Sequence, residues 1–213
     1  RFPQLTLREA EFLVKLSHEN IIKLEGFVEG VSRNMIWLVF PWEENGTLKH
    51  FIASAEWEIP ERIWLIDDVA RGIEYLHGRE PPICHGDLKS INILVNSEFR
   101  AVISDFGSAP TLCSSTNTIT LTCNQYTLRW AAPELLENDE ASLASDMWAF
   151  GCVMTNFIPF QDVKDSIVIK RVVRGDLPSI SSDARMLLIQ SLCTLVKHCW
   201  SIDPSGRPTA DDC

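Results

Sequence analysis

Apolar side chains recur along this chain with two different periods, and the changes of period mark its elements. Between Thr6 and Leu16 the positions Leu7, Ala10, Phe12, Leu13 and Leu16 keep near-helical spacing. Thr6 stands as N-cap with Glu9 three residues on, so a short amphipathic helix is predicted. Two extended runs follow, Ile21 to Val28 and Met35 to Phe40, separated by Glu-Gly and Ser-Arg-Asn turn chemistry that suits an antiparallel pair. Beyond Pro41 the strand signal mostly ends. Glu58 to His77 gives the strongest helix: Pro60 suits its first turn, Gly78 its end, and Ile63, Trp64, Ile66, Val69, Ile73 and Leu76 form a wide apolar face. Short strands at Ile93 to Val95 and Ala101 to Ile103 flank a turn at Asn96 to Glu98. Residues 108 to 127, rich in Ser and Thr, read as a long loop. Helical spacing resumes near 133 to 137, 145 to 157, 164 to 173 and 183 to 199. A small part with strands followed by a larger helical part predicts an α+β fold.

Composition narrows the class of protein. The 213 residues are 46% hydrophobic, ample for a sizeable core. Formal net charge is −10 and the Lys and Arg residues are scattered, which disfavours nucleic acid or an anionic membrane as the main partner. No apolar stretch is long enough to span a bilayer and no signal-peptide pattern is present. Seven cysteines without a C-x-x-C pair indicate neither a disulfide framework nor a zinc site, so reduced thiols in a cytoplasmic setting are expected.

The chemistry concentrates in His85-Gly86-Asp87-Leu88-Lys89-Ser90-Ile91-Asn92, between the long helix and a short strand. A hydroxyl nucleophile needs a carboxylate to orient it and accept its proton, and an amide five residues on can sit beside that base as a metal ligand. Asp105-Phe106-Gly107 then follows a strand directly. Alone that tripeptide is an ordinary strand-end turn, but its order and spacing after Asn92 change its meaning. Ala132-Pro133-Glu134 closes the Ser/Thr-rich loop, Asp146-Met147-Trp148-Ala149-Phe150-Gly151 enters a helix, and Cys199-Trp200 and Asp203-Pro204-Ser205-Gly206-Arg207-Pro208 lie near the end.

These motifs, in this order, resemble the catalytic and activation loops of the eukaryotic protein kinases, and the resemblance covers nearly the whole chain. It implies a protein-kinase-like α+β fold with a truncated N-lobe, one helix plus antiparallel strands over residues 1 to 41, and a hinge and mainly helical C-lobe over 42 to 213. It implies Asp87 as the base, Asn92 and Asp105 as Mg²⁺ ligands, and Lys89 and Thr127 as their neighbours in the catalytic site. Glu9 resembles the helix Glu that pairs with the ATP-binding Lys; a solvated helix charge is the alternative. Phe40, Pro41 and Glu43 resemble the gatekeeper and hinge, and Leu94 joins them on the nucleotide side. Leu13, Leu24, His85 and Phe106 fall where the family stacks an apolar spine. A buried Glu134–Arg207 ion pair and an Asp146 that holds the catalytic loop through backbone N–H groups are further implications.

Lys89 and Thr127 resemble the Ser/Thr-type loop, while Arg129-Trp130 is similar to the tyrosine-kinase-like branch of Ser/Thr kinases, and His-Gly-Asp-Leu-Lys is reminiscent of fungal members. The implied activity is transfer of the ATP γ-phosphate to Ser/Thr hydroxyls of protein substrates. The pattern also departs from the family. No G-x-G-x-x-G occurs and no Val-Ala-x-Lys precedes Glu9, so the chain alone is expected to be inactive. Gly86 replaces the Arg that pairs with a phosphorylated activation loop, so the loop's Ser and Thr residues read as a solvated tether. Between Asp146 and Pro159 the family pattern is shortened by about five residues, or roughly 7 Å of helix. A catalytic kinase portion and a kinase-derived interaction module or non-functional fragment therefore both remain open on the residues.

Overall fold

The computed structural model describes residue 10 and residues 13–30, 35–106, 111–113, 118–120, 127–138, 141–155, 158–178 and 190–213. Most of the predicted first helix, Glu9 included, lies outside them. A helical hydrogen bond from Val14 N–H to the Ala10 carbonyl (3.0 Å) and the burial of Ala10 and Leu13 mark its described end. Strand β1 (Gly26–Gly30) pairs antiparallel with β2 (Met35–Val39), Gly26 opposite Val39 and Gly30 opposite Met35. The first extended run was expected from Ile21, but the strand begins at Gly26. Ile21, Ile22 and Leu24 are buried, and Ile22 N–H donates to the Ile103 carbonyl at 2.8 Å. Their apolar character, broken only by the exposed Lys23, reflects docking on another strand outside the β1–β2 pair.

A helix that the pattern had not suggested follows, α1 (Leu48–Ala53). Thr47 Oγ1 caps it by accepting from His50 N–H, and Leu48 and Phe51 point inward. At six residues it is too short to display a period. The long helix α2 (Ile59–His77) has close to the predicted bounds and most of the predicted face: Val69, Ile73 and Leu76 are buried and Ile66 packs on the core, while Ile63 and Trp64 do not turn inward. Leu65, Val69, Ala70, Ile73 and Leu76 are buried, whereas Ile63 is 39% and Trp64 66% exposed. The buried stripe steps 65, 69, 73, 76 and carries Asp68 within it, 1% exposed, which receives the Arg100 guanidinium on both oxygens and the Ala101 N–H at 2.9 Å.

Strands β4 (Ile93–Val95) and β5 (Ala101–Ile103) form the predicted hairpin, Ile93 opposite Ile103. Its turn is tied by Asn96 Oδ1, which accepts from Glu98 N–H and Arg100 N–H. The segment expected to be wholly loop contains two strands, β6 (Thr111–Cys113) and β7 (Thr118–Thr120), after the two-residue β3 (Ile83–Cys84). The order is β3–β7–β6, with β7 parallel to β3. The pairing partner lies far away in sequence, so no local pattern announces it.

Among the described residues the remaining α-helices are α3 (Pro133–Asn138), α4 (Leu143–Thr155), α5 (Asp165–Val173) and α6 (Gln190–Cys199). Every residue from Ser145 to Thr155 is buried, so α4 is the centre of this half of the molecule. It meets the end of α6 through Gly151, where an added Cβ would lie 2.7 Å from Trp200 Nε1 and 2.9 Å from Cys199 Cβ. Only glycine permits that approach. Cys84, Cys152 and Cys199 are buried, and burial pushes the Cys152 thiol up to about 12. Among the described residues no helix is long and apolar enough to cross a membrane, and no group of three or more His, Cys, Asp or Glu is placed to hold a metal.

Candidate active site

Asp146, in the first turn of α4 and 2% exposed, organises the loop that carries Asp87. Its Oδ2 accepts from His85 N–H at 2.7 Å and bonds His77 Nε2 at 3.1 Å, and its Oδ1 accepts from Gly86 N–H at 2.9 Å. Two consecutive backbone amides held by one carboxylate fix the direction in which residue 87 leaves the loop. Gly86 adopts φ +80°, a conformation glycine takes without a Cβ penalty. The His85 ring bonds the Ser104 carbonyl through Nε2 (3.1 Å), accepts Asp87 N–H on Nδ1 (3.3 Å) and lies 5.2 Å from the Phe106 ring. Leu13, Leu24, His85 and Phe106, expected as a spine, are all buried.

Four donors converge on the Asp87 carboxylate. Thr127 gives its N–H (2.9 Å) and Oγ1–H (2.8 Å) to Oδ1, while Lys89 Nζ (2.5 Å) and Asn92 Nδ2 (3.3 Å) face Oδ2. Lys89 Nζ also reaches Thr127 Oγ1 at 2.6 Å, closing a triangle of base, lysine and hydroxyl. Asn92, 4% exposed, donates Nδ2 to the Asp87 carbonyl at 3.0 Å, and its own carbonyl accepts from Ser104 N–H (2.8 Å) and Oγ (2.9 Å). Those bonds bring Asn92 and Asp105 to the same end of the β4–β5 hairpin. Asp105 is exposed, at φ +56°.

On the far side of the hairpin, the segment after β2 folds back over β4: Thr47 bridges Leu94, and Val95 N–H donates to the Gly46 carbonyl at 2.9 Å. Phe40 is 38% exposed, Pro41 and Glu43 are half-buried, and partial burial pushes the Glu43 carboxyl up. Glu9 lies outside the described residues. Hydrogen bonds join Asp87, Lys89, Asn92 and Thr127 directly, Asp105 follows at the same hairpin end, and Phe40, Pro41 and Glu43 lie in the segment that leads to Thr47, the bridging partner of Leu94.

The segment after Thr127 is pinned at both ends. Arg207, its side chain 1% exposed, makes a two-pronged bridge to Glu134, Nη1 to Oε1 at 2.5 Å and Nη2 to Oε2 at 2.8 Å, and also donates to the Ser201 and Ala144 carbonyls. Arg129 donates to the carbonyls of Pro159 (3.1 Å), Phe160 (2.5 Å) and Val163 (2.8 Å) and to Asp165 Oδ1 (2.6 Å). Sequence reasoning anticipated the Glu134–Arg207 bridge but missed the work of Arg129 and of His77. An arginine beside Trp130 and a histidine in the last turn of α2 were the available signals.

A sequence model described as protein tyrosine and serine/threonine kinase matches residues 3–213. The chain belongs to that family. Rat "Receptor-interacting serine/threonine-protein kinase 3" is 32% identical over 97% of this chain and 46% of its own length. A "Putative serine/threonine-protein kinase/receptor" of Acanthamoeba polyphaga mimivirus is 31% identical over 96% of the chain and 12% of its own length. Human "Ephrin type-A receptor 1" is 30% identical over 95% of the chain and 21% of its own length. The chain thus spans less than half the length of these relatives.

In this member of the kinase family the anchoring of the loop has a pH signature. Burial alone raises the Asp146 carboxyl, but the hydrogen bond and charge of His77, the charge of His85 and the Gly86 N–H outweigh it and hold the group below its ordinary value. Protonation is then harder in the folded chain than in the unfolded one, where the carboxyl titrates near about 3.9. The stabilisation is complete above that value and lost as pH falls through the folded one. Acid unfolding is expected to show this as a decline below about pH 4 that Asp146→Asn lacks, the variant being the less stable at pH 7 and the gap narrowing toward pH 3. A gap that stays constant with pH contradicts the assignment.

Proposed function

We propose that this protein kinase chain supplies the base and metal-ligand half of a site that transfers the ATP γ-phosphate to Ser or Thr hydroxyls of protein substrates. The observation that carries this reading is the Asp87–Lys89–Thr127 triangle. The carboxylate is held by Thr127 and Lys89 so that it can orient an incoming hydroxyl and take its proton. The Lys89 ammonium, 12% exposed beside it, adds positive charge where a phosphoryl group arrives. Arg129 and the Glu134–Arg207 bridge hold the segment over which an acceptor peptide passes.

Mg²⁺ and ATP fit the residues present. The Asn92 amide has its nitrogen committed to Asp87, leaving its oxygen as a ligand, and the exposed Asp105 carboxylate adds a second hard oxygen at the same strand end. One amide and one carboxylate, completed by phosphate oxygens and water, suit Mg²⁺. When bound, the ion neutralises charge on the transferring phosphoryl group. Phe40, Pro41, Glu43 and Leu94 form the nucleotide side, and Glu9 is the proposed partner of an ATP-binding lysine. This assigns residues 1–41 to an N-lobe remnant and 42–213 to the hinge and C-lobe. The triangle and the likeness to the rat kinase favour the tyrosine-kinase-like Ser/Thr branch, whereas the fungal likeness rests on His-Gly-Asp-Leu-Lys alone. The absence of a C-x-x-C pair from the sequence and the net charge favour a cytoplasmic setting and a protein substrate over nucleic acid.

The 213 residues contain neither a Gly-rich loop nor a lysine strand before Glu9, and alone they are expected to transfer nothing. The test joins them to those strands from a tyrosine-kinase-like relative and identifies the phosphorylated residues on a mixed acceptor protein. Phosphoserine and phosphothreonine, dependent on Mg²⁺, are the expected products. Phosphotyrosine alone sinks the Ser/Thr reading, and a joined chain that binds Mg²⁺-ATP yet transfers nothing favours an interaction module.

A further inference from the structure

Remote from Asp87, a groove of about 790 Å³ opens between the N-terminal half of α2, the end of α1 and the β4–β5 turn. Its floor is apolar: Phe51, Trp57, Trp64, Leu65 and Phe99. Three of these pack on one another, Phe51 to Trp57 at 4.3 Å between ring centroids, Phe51 to Phe99 at 5.9 Å and Trp57 to Phe99 at 6.4 Å. Trp64 and Phe99 nevertheless stand 66% and 57% exposed. Phe99 does so at φ +60°, a conformation costly for a bulky side chain. The fold therefore holds an aromatic ring toward solvent against its backbone preference.

The rim is acidic. Glu19, Glu61, Asp67 and Glu98 line it, against Arg71 and Arg100. Both arginines are already engaged, Arg71 with Asp67 at 2.8 Å and Arg100 with the buried Asp68. Glu61 Oε2 is buried and accepts no hydrogen bond among the described residues. An orphaned carboxylate oxygen beside exposed tryptophan and phenylalanine faces is a site for a cation: the oxygen needs a donor, and the rings attract positive charge by their quadrupoles. The chain's net charge of −10 acts in the same direction at long range.

We propose that this groove docks a basic segment of a partner protein, with one Arg or Lys against Glu61 and Glu98 and an adjacent aliphatic side chain on the Phe51–Trp57–Phe99 floor. The surface is separate from the phosphotransfer reading, since none of Asp87, Lys89, Asn92, Asp105 and Thr127 lines it. Arginine is the better fit, because its planar guanidinium stacks on an indole while its N–H groups reach a carboxylate.

The test is calorimetric titration of the 213-residue chain with a synthetic, end-blocked ten-residue peptide holding three arginines around a central leucine. Saturable binding is expected, weakening as salt rises, and falling at least about tenfold in the Glu61→Gln/Glu98→Gln double variant and again in Phe99→Gly, which also relieves the backbone. Far-ultraviolet circular dichroism of each variant establishes that it is folded. Binding that is unchanged in both folded variants, equal binding of a peptide with glutamates in place of arginines, or no heat up to about 1 mM peptide, the weak limit for a specific contact, overturns the proposal. So does a dimer of the free chain that Trp64→Ser dissociates, which assigns the groove to a second copy.

Discussion

Replacing Asp87 by asparagine in the joined chain described above is expected to lower phosphoryl transfer by roughly 10²–10⁴-fold. The oxygen that accepts from Thr127 can be kept, but the new amide nitrogen faces the Lys89 ammonium, so a donor meets a donor where the carboxylate received Nζ at 2.5 Å. The hydroxyl of an acceptor then finds no base, and the lysine loses the partner that aims it. The loss should fall on kcat, with KM for ATP nearly unchanged, because the proposed function puts Asp87 on the acceptor side and the nucleotide against other residues. A structural role alone moves stability and not this split. A rate within about threefold of the parent at equal folded fraction removes Asp87 from the role of base.

The second large effect is on stability. Arg207→Ala is expected to cost about 3–5 kcal/mol, a large share of the roughly 5–15 kcal/mol by which a protein of this kind is stable. The guanidinium is 1% exposed and its donors go to Glu134, Ser201 and Ala144, with the Trp148 ring 5.2 Å from its centre. Removing it strands the Glu134 carboxylate and two carbonyls and leaves a void against Trp148. Arg207→Lys keeps the charge but lacks the fork, so an intermediate loss is expected. Urea unfolding of the two variants and of Glu134→Gln measures this, with strong non-additivity in the Glu134→Gln/Arg207→Ala pair. Additive losses, or an alanine variant within about 1 kcal/mol of the parent, place the stabilisation elsewhere.

Much of the candidate site was legible because its residues are close in sequence and are required by local chemistry. A base, a lysine two residues on and an amide five residues on lie in one loop. The carboxylate of Asp105 follows a short strand whose bounds, Ala101 to Ile103, were readable from three apolar residues. Asp146 and the Glu134–Arg207 bridge were legible only through resemblance, since nothing in the residues between them carries a period that links them. The inward stripe of α2 was legible at Val69, Ile73 and Leu76, but Ile63 and Trp64 were expected on it and Asp68 was not. Hydrophobicity reports what a residue prefers, whereas Asp68 on the buried side is stabilised by Arg100 and Ala101 N–H, partners more than thirty residues away.

By itself the sequence determined the α+β class, the long helix with its proline start and glycine stop, the β4–β5 hairpin and the order of the chemical motifs. These rest on capping, turn preference and periodicity, which act within a few residues. Only the tertiary structure decided that His77 joins the Asp146 carboxylate, that β7 lies along β3, that Arg129 ties Thr127's segment to Pro159 and Phe160, and that Trp64 faces solvent across an acidic groove. Each depends on which distant surfaces are brought together. Burial against a remote partner can pair a charge, satisfy a free strand or leave a tryptophan uncovered, and no local pattern encodes that outcome.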